Sequence, residues 1–488
     1  MLDPSERVLT SKGDSSPEPT TDVFRGGGRS VGRRIQSNMI WAGSGRLMSV
    51  LFLFLLHTRL AHQLPPDEYG CYVLIESITL VLSLVILAGV PTVALRTLRA
   101  QWSSGNESGA SETVKTSLGV VAGAAVVTGL GVSLFAFVVG NRALHGILWQ
   151  WLPWIVGTAI CTATLRLVSE LARGYDMLGF SYLVGGQSGG FGVNALLLLS
   201  AITMGALSPF SLTTMMSVQV GIQLLTIGPA LAIILCVGAR NRSPAAAVTV
   251  LKGFRSVLRC SIPLLIQQLV LFGLPETDTM LLGSYSTAED VALYGAARKL
   301  VFFAIVPLLL TSHGIQPFIS EFHSRQDLHR LTILVRGMAT IAGIPSLFIV
   351  FILLTMPELM LLWIFGETFV PAAESLRVLS LGAAVFVITG SCGLVLTMTG
   401  HERAAMWSSL TSGAVYLIAA PLLIERFGTL GAAIGATGLQ FFTNVSGMLL
   451  VYYHEHIWTG MSFSKTIVLE CIAMVFPPRI QRAMGPRS

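Results

Sequence analysis

The sequence predicts an all-α polytopic membrane protein with about 12 transmembrane helices in two six-helix lobes related by a pseudo-two-fold axis. The first observation is composition: 53% of the 488 residues are hydrophobic and only 11% are charged, whereas soluble domains carry roughly 25% charged residues. The second is a series of apolar segments that approach or exceed the length of about 20 residues that a helix needs to cross a bilayer. The third is an internal repeat that divides these segments into two sets.

The apolar segments define the predicted organisation. The predicted spans are residues 39–61, 71–94, 114–139, 145–167, 179–203 and 212–238 in the first half, and 261–283, 292–316, 332–356, 374–398, 405–424 and 430–453 in the second. The predicted domains are a disordered cytoplasmic tail at 1–37, an N-terminal lobe at 38–238, a cytoplasmic linker at 239–259, a C-terminal lobe at 260–454 and a cytoplasmic tail at 455–488. The first tail is rich in Ser, Pro, Gly and charge, which favours disorder. The segment 467–476 is too short to span and is predicted to be interfacial or part of the last tail.

The distribution of basic residues predicts a cell-membrane protein with both termini in the cytoplasm. Lys and Arg concentrate in the cytoplasmic loops of membrane proteins. With a cytoplasmic N-terminus, 24 of the 31 Lys and Arg residues fall on the inner side, six fall on the outer side, and Arg46 lies within a span. The net charge of +6 therefore reflects topology, and no nucleic acid partner is expected.

The internal repeat relates the two halves. Residues 67–72 open the second predicted span and resemble residues 289–294, which open the eighth span 222 positions later. Residues 173–176 and 399–402 lie in corresponding turns at a similar offset. Because each half has an even number of spans, both halves have the same orientation, and their interface is the expected place for a substrate site.

Five polar residues inside predicted spans are candidates for a substrate pathway: Arg46, Arg298, Lys299, Gln267 and Gln268. A charge at the centre of a membrane helix costs about 2.5 to 3.5 kcal/mol, so such residues usually face a polar cavity. For the three cations the alternative is a side chain that reaches out to the membrane surface.

Three carboxylates are candidates for gating or ion coupling. Glu76 is the repeat counterpart of Arg298, so it is predicted to lie at the matching depth and to pair with Arg298 or Lys299 as a gate on the outer side. Glu276 and Asp278 flank a proline kink and are predicted to hold a proton or a sodium ion for coupling. The alternative for this pair is a loosened helix end with solvated carboxylates.

The sequence carries no sign of enzyme chemistry. Its six cysteines stand alone, almost all within apolar segments, without metal-ligand or redox spacing. It also contains no nucleotide-binding loop and no nucleophile–base pairing. We therefore expect no catalytic residue, no metal site and no cofactor beyond a coupled proton or sodium ion.

Several motifs resemble those of the polysaccharide (O-antigen or exopolysaccharide) flippases, the Wzx-like proteins of the MOP/MATE-like superfamily. The motifs are LPPDEYG at 64–70, LRCSIP at 258–263, TDTMLLG at 277–283, VALYGAA at 291–297, FGETFVPA at 365–372 and FGTLGAAI at 427–434. The resemblance covers about residues 36–455. It implies MATE-like lobes and movement of polyprenyl-diphosphate-linked oligosaccharide, the polysaccharide repeat unit, from the cytoplasmic to the outer leaflet. The implied partners are this lipid-linked glycan, the lipid bilayer and polysaccharide polymerase machinery.

Two other functions remain open at this stage. A MATE-like cation-coupled exporter of small molecules should depend on acidic cavity residues, whereas the membrane-embedded charges here include three cations. A membrane glycan polymerase or ligase needs a large outer loop for its catalytic residues. The longest predicted outer connection, 357–373, is short and contains no His or Arg.

Overall fold

A computed structural model describes most of the chain as helix. The described residues are 28–104, 106–139, 147–185, 189–207, 211–239, 261–262, 264–266, 268–462 and 464–475. Within these ranges eight helices are long and apolar enough to cross a membrane. The prediction of an all-α polytopic membrane protein is confirmed.

The described residues of the first half of the chain form nine helices. They are α1 (Gly28–Gln63), α2 (Pro66–Leu87), α3 (Val90–Ser103), α4 (Glu107–Val139), α5 (Ile147–Gln150), α6 (Leu152–Gly174), α7 (Leu178–Val184), α8 (Phe191–Leu207) and α9 (Leu212–Ala239). Helix α1 begins at Gly28, inside the segment 1–37 that is predicted to be a cytoplasmic tail, and the division into domains stays a prediction. Once a helix is nucleated, each added residue gains a backbone hydrogen bond, which allows the spanning helix to continue beyond its apolar part.

The second half begins with an interrupted helix. A π-helical segment (Leu269–Gly273) and a 3₁₀ turn (Leu274–Glu276) lead into α10 (Thr277–Tyr285). The remaining elements are α11 (Ala288–Ser324), α12 (Leu328–Thr355), α13 (Pro357–Ile364), a 3₁₀ turn (Glu367–Ala372), α14 (Ala373–Thr389), α15 (Cys392–Met398), α16 (Glu402–Glu455) and α17 (Lys465–Val475). Helix α16 contains two predicted spans, joined by a kink at Gly428, which has φ 55° and ψ −128°.

Besides the span 261–283, several other predicted spans are broken within the described residues. The span 71–94 is divided into α2 and α3 at Ala88 and Gly89, which both have left-handed backbone conformations, with φ of 48° and 73°. A Cβ atom at Gly89 would lie 2.4 Å from the carbonyl oxygen of Ser261, so the break also allows the two halves to approach. The spans 179–203 and 374–398 are divided in the same way, into α7 and α8 and into α14 and α15.

The C-terminal strap, residues 456–462 of the predicted cytoplasmic tail, folds back against the second half. Its Thr459 hydroxyl donates to the carbonyl oxygen of Thr389 at 2.8 Å, and the backbone N–H of Met461 donates to the carbonyl of Ile388 at 3.1 Å. These contacts satisfy carbonyl groups that the end of α14 leaves without helical partners. Helix α17 then packs on α12, where the thiol of Cys471 contacts the Leu334 carbonyl.

The two halves meet along α2 and α11, where small residues allow close contact. A Cβ atom at Gly70 would lie 1.7 Å from the carbonyl oxygen of Ala288, the first residue of α11. One end of α2 therefore lies directly against the start of α11. Further along the same contact, a Cβ atom at Gly295 would lie 3.4 Å from Cβ of Val73.

Replacing Gly70 by alanine is expected to destabilise the protein by about 3 kcal/mol, because a rigid backbone group would have to move to admit the new methyl group. The measurement is thermal unfolding in detergent. Gly119→Ala is the matched control, since Gly119 also lies in a helix but nothing lies within 4 Å of its added Cβ. The control should be neutral or more stable by up to about 1 kcal/mol. Equal melting temperatures for the two variants would contradict the described α2–α11 contact.

Candidate functional site

A network of charged and polar side chains lies where the two halves meet. Helix α2 contributes Glu76 and Ser77, the 3₁₀ turn before α10 contributes Glu276, and α11 contributes Arg298 and Lys299. The α10–α11 turn is short, so the chain folds back on itself and brings the 3₁₀ turn beside the middle of α11. The interruption around Pro275 places Glu276 on this surface, since the segment is not a regular helix there.

Arg298 forms the most extensive contacts in the network. Its two terminal nitrogens donate to the two carboxylate oxygens of Glu276 at 2.7 and 2.9 Å. One of them also donates to the Thr279 hydroxyl at 2.9 Å and to Asp278 at 3.4 Å. This two-point arrangement of a guanidinium on a carboxylate gives stronger and more directional bonds than a single neutral hydrogen bond.

Asp278 is the most deeply buried carboxylate of the network, with 5% of its side chain exposed. The hydroxyl of Tyr294 donates to its Oδ2 at 2.5 Å, and the backbone N–H of Thr279 donates to its Oδ1 at 2.6 Å. A buried charge needs such partners, because its transfer from water is otherwise prohibitive. Arg298 and these donors together compensate the burial of Asp278.

Glu76 links α2 to two other helices. Its Oε2 lies 2.9 Å from Nζ of Lys299 on α11 and 3.2 Å from Nε2 of His57 on α1. The His57 ring is fully buried, and its Nδ1 lies 3.3 Å from the hydroxyl of Tyr69. Glu76 is thus held between a cation from the other half and an imidazole from its own half.

A second contact joins the halves beside the first. The Ser77 hydroxyl donates to Oε2 of Glu276 at 2.9 Å, and the same oxygen accepts from Arg298. We call these residues (Glu76, Ser77, Glu276, Arg298 and Lys299) the cross-half network. Because its ion pairs are mostly shielded from water, removing one partner leaves an uncompensated charge, which costs about 3 to 5 kcal/mol in buried pairs.

The structure does not bring all predicted site residues together. Glu76, Glu276, Asp278, Arg298 and Lys299 lie in one cluster, and the repeat counterpart Glu76 contacts Lys299, whereas Arg298 contacts Glu276 and Asp278. Gln268 lies half-buried just before the π-helical segment, and Gln267 lies outside the described residues.

Arg46 lies apart from this cluster. It is half-buried on α1, near Tyr182 on α7 and Arg173 at the end of α6. It precedes His57 by 11 residues, or about 16 Å along the helix at 1.5 Å per residue. Arg46 and the cross-half network therefore lie at different depths.

Several partners in the cluster, among them His57, Tyr294 and Ser77, were not predicted from the sequence. His57 interrupts an apolar run, which is a usable signal for a polar contact inside a membrane. Tyr294 belongs to the repeat motif, but the repeat alone does not say that its hydroxyl meets Asp278. Ser77 gives no signal, since single serines are common in membrane helices.

Replacing Tyr294 by phenylalanine removes only the hydroxyl that donates to Asp278. The expected result is a loss of about 1.5 to 3 kcal/mol, the range for hydrogen bonds to charged groups. Thermal unfolding of the purified protein measures it. Tyr285→Phe is the control, because that tyrosine is 52% exposed at the end of α10. Similar melting temperatures for both variants would mean that the Tyr294–Asp278 bond adds nothing.

Within the described ranges, no group of three or more His, Cys, Asp or Glu side chains has the geometry to hold a metal ion. The coupling ion predicted for Glu276 and Asp278 is a proton or a sodium ion. The pairing of both carboxylates with Arg298 means that such an ion would compete with the guanidinium.

Comparisons with known proteins identify the fold. No protein-family model and no curated protein sequence matches the chain. Solved structures do match. An inward-facing multidrug resistance MATE family transporter of the MOP superfamily has a TM-score of 0.67 at 13% identity, covering 86% of this chain and 98% of that one. The MATE multidrug transporter DinF-BH, solved as a complex with a small molecule, has a TM-score of 0.60 at 15% identity, covering 91% and 99%.

A flippase has the same architecture. The lipid II flippase MurJ in an inward closed conformation has a TM-score of 0.57 at 12% identity, covering 92% of this chain and 94% of that one. The first two of these proteins are transporters and the third is a flippase. At these identities the likeness establishes the fold: the chain is a multi-pass membrane protein with the architecture of MATE transporters and other members of the MOP superfamily.

Proposed function

We propose that this chain is a Wzx-like flippase that moves polyprenyl-diphosphate-linked oligosaccharide, the repeat unit of a polysaccharide, from the cytoplasmic to the outer leaflet of the cell membrane. It works by alternating access between two six-helix lobes, at 38–238 and 260–454, with both termini in the cytoplasm. The observation that carries the proposal is the cross-half network, which ties α2 to α11 through charged groups that a diphosphate can replace. A polysaccharide polymerase is the partner that consumes the delivered unit.

The chemistry of the network suits a phosphate-bearing lipid. A diphosphate cannot enter hydrocarbon uncompensated, so its path needs cations and hydrogen-bond donors. Arginine binds phosphate in the same two-point geometry in which Arg298 holds Glu276. An arriving diphosphate therefore competes with Glu276 for Arg298 and with Glu76 for Lys299. When the diphosphate displaces these carboxylates from Arg298 and Lys299, the contacts between α2 and α11 are released. Substrate binding therefore opens the outer side.

The balance of charge in the cluster supports ion coupling. Three carboxylates, Glu76, Glu276 and Asp278, face two cations, Arg298 and Lys299. A diphosphate added to this set raises the negative charge further, unless a proton or a sodium ion neutralises a carboxylate. Uptake of such an ion at Glu276 or Asp278 frees Arg298 for the phosphate, and its release after transport restores the pair.

The excess of acidic groups also favours a second candidate, a MATE-like cation-coupled exporter of small molecules. A positively charged drug would bind to the carboxylates in place of Arg298 and Lys299. The two functions differ in which part of the network contacts the substrate: its cations in a flippase and its carboxylates in a drug exporter.

The test uses the full chain in proteoliposomes that contain an undecaprenyl-diphosphate-linked trisaccharide, with periodate as an impermeant external probe. The flippase predicts wild-type exposure of the sugar and loss of exposure in Arg46→Ala and Arg298→Lys, with folding intact. Loss in Arg46→Ala alone would place the phosphate on α1, away from the network. No exposure, together with ethidium efflux driven by a proton or sodium gradient, would support the exporter and overturn the flippase.

Charge reversal tests the Glu76–Lys299 contact. Glu76→Lys and Lys299→Glu should each reduce transport at least tenfold, because like charges about 4 Å apart repel by about 4 kcal/mol near a protein surface. The double variant restores the pair and should recover part of the activity, incompletely because His57 remains beside position 76. The proteoliposome assay measures all three variants. A double variant no more active than either single one would exclude the pair from the transport cycle.

A further inference from the structure

A partly open cavity with apolar and polar walls lies in the N-terminal half, next to the cross-half network. It has a volume of about 150 Å³ and is bordered by α1, α2, α6, α8 and α9. Its lining includes Glu76, Arg166, Gln219 and Gln223, together with the ring of Tyr72. Polar groups facing an internal space of this kind require either ordered water or a ligand with matching hydrogen-bond groups.

Two acceptors in the cavity wall are unsatisfied. Gln219 and Gln223 are one turn apart on α9, so their side chains share one face of the helix. The Oε1 atom of each is buried and has no hydrogen-bond partner within the described part of the chain. Gln223 is only 6% exposed, and its Nε2 donates to the Thr162 hydroxyl at 3.3 Å, which fixes the amide with its oxygen free. The two amide oxygens can therefore accept hydrogen bonds from a bound ligand.

The opposite wall of the cavity carries hydrogen-bond donors, a carboxylate and an aromatic ring. Arg166 on α6 carries N–H donors and contacts the Ser83 hydroxyl at 3.5 Å, and Glu76 on α2 is an acceptor. Tyr72 is buried and adds an aromatic surface. The cavity therefore offers acceptors, donors and one flat apolar surface within a single pocket, which is the usual make-up of a small-molecule site.

The size and charge of the cavity limit the ligand. A volume of about 150 Å³ holds about five water molecules at about 30 Å³ each, which is comparable to one six-membered ring with its hydroxyl groups and too small for an oligosaccharide. A diphosphate would meet Glu76 and only one cation, Arg166. An inorganic cation would have to compete with Lys299 for the single carboxylate. A neutral ring rich in hydroxyl groups fits both the acceptors and the donors.

We propose that this cavity binds one sugar residue, a neutral hydroxylated ring, with hydroxyl groups donating to Gln219 and Gln223 and accepting from Arg166. The proposal rests on the proposed flippase function, for which it names the sugar-binding part of the substrate site. Glu76 lines the cavity and also contacts Lys299, so a sugar in the cavity lies beside the contact that joins the halves. The protein then binds the lipid-linked glycan at two points: the cross-half network binds its diphosphate, and the cavity binds one sugar.

The test is sugar binding to the purified full-length protein, which does not depend on transport. Saturation-transfer NMR is recorded with glucose, galactose, mannose and N-acetylglucosamine, and with the linear polyol sorbitol as a reference for non-specific contact. We expect transfer to at least one ring sugar in the wild type. The Gln219→Met/Gln223→Met double variant, which keeps side-chain length but removes both acceptors, should weaken that binding at least tenfold. Thr213→Val, an exposed position on the same helix, is the control and should bind as the wild type does.

The outcomes separate the two proposals. Transfer to none of the ring sugars, or equal transfer in the wild type and the double variant, overturns the sugar site, whatever the transport assay shows. Sugar binding that the double variant loses supports the sugar site, even if no lipid-linked trisaccharide crosses the membrane. If the sugar binds but no lipid-linked trisaccharide crosses the membrane, the proposed flippase function is wrong. The free sugar then becomes the candidate substrate.

Discussion

Replacing Arg298 by leucine is expected to abolish transport and to lower stability by about 3 to 5 kcal/mol, the cost of leaving buried carboxylates without their cation. Glu276 and Asp278 are 17% and 5% exposed, so water cannot take over the lost contacts. Leucine also cannot donate to the Thr279 hydroxyl. Thermal unfolding measures the stability, and the proteoliposome assay measures transport.

Two further variants separate charge from geometry at this position. Arg298→Lys retains the positive charge but gives up the two-point contact with Glu276, so its stability should lie between those of the wild type and Arg298→Leu. In the Arg298→Leu/Glu276→Leu double variant one of the uncompensated carboxylates is removed as well. That variant should recover part of the lost stability, because a buried pair replaced by apolar residues is often tolerated.

Arg377→Leu is the matched control for an arginine–carboxylate pair. Arg377 donates to Glu358 at 2.7 Å, as short as the Arg298–Glu276 contact, but the two side chains are 45% and 49% exposed. An exposed pair contributes about 1 kcal/mol or less. If Arg377→Leu destabilised the protein as much as Arg298→Leu, burial would not be the source of the effect at Arg298.

Much of the fold followed from the sequence, because membrane helices obey simple rules of length and charge. The all-α class was predicted from apolar segments, and the repeat offset predicted a pairing of Glu76 with Arg298 or Lys299 of α11. The offset did not decide which cation Glu76 contacts. The structure gives Lys299, since Arg298 is already held by Glu276 on its own side of the interface.

The Arg298–Glu276 contact has a signal in the sequence that is independent of the repeat. Residues 276 and 298 each lie 11 positions from Thr287, the N-cap of α11. In an antiparallel hairpin, residues equally distant from the turn lie side by side. The ion-coupling hypothesis placed Glu276 at a kink and did not predict its contact with Arg298. The two roles are compatible.

The helix breaks and the C-terminal strap could not be predicted from local sequence. Glycine alone does not break a membrane helix, and the break at Gly89 depends on the close approach of Ser261 from the other half. The strap was assigned to a tail because 467–476 is too short to span. Its burial depends on carbonyl groups that become available only because α14 ends at Thr389.

Cross-linking α2 to α11 should stop transport if the halves separate there during the cycle. Val73→Cys and Gly295→Cys are suited to it, because a Cβ atom at position 295 would lie 3.4 Å from Cβ of Val73, close to the separation that a disulfide needs. Replacing Val73 also removes the methyl groups that a side chain at 295 would otherwise meet. With the six native cysteines replaced by alanine, the oxidised protein should move the lipid-linked trisaccharide at least tenfold more slowly, and reduction should restore the rate.

This experiment distinguishes a gate from a fixed structural contact, which charge substitutions alone do not. A contact that only holds the fold together can be made permanent without loss of transport, whereas one that must open cannot. The control is Ser169→Cys/Ser181→Cys, whose hydroxyl oxygens are 2.8 Å apart within the N-terminal half. Its disulfide should leave transport unchanged, because α6 and α7 belong to the same lobe. If the oxidised Val73–Gly295 pair transported as fast as the reduced one, the outer gate would have to lie elsewhere than along α2 and α11.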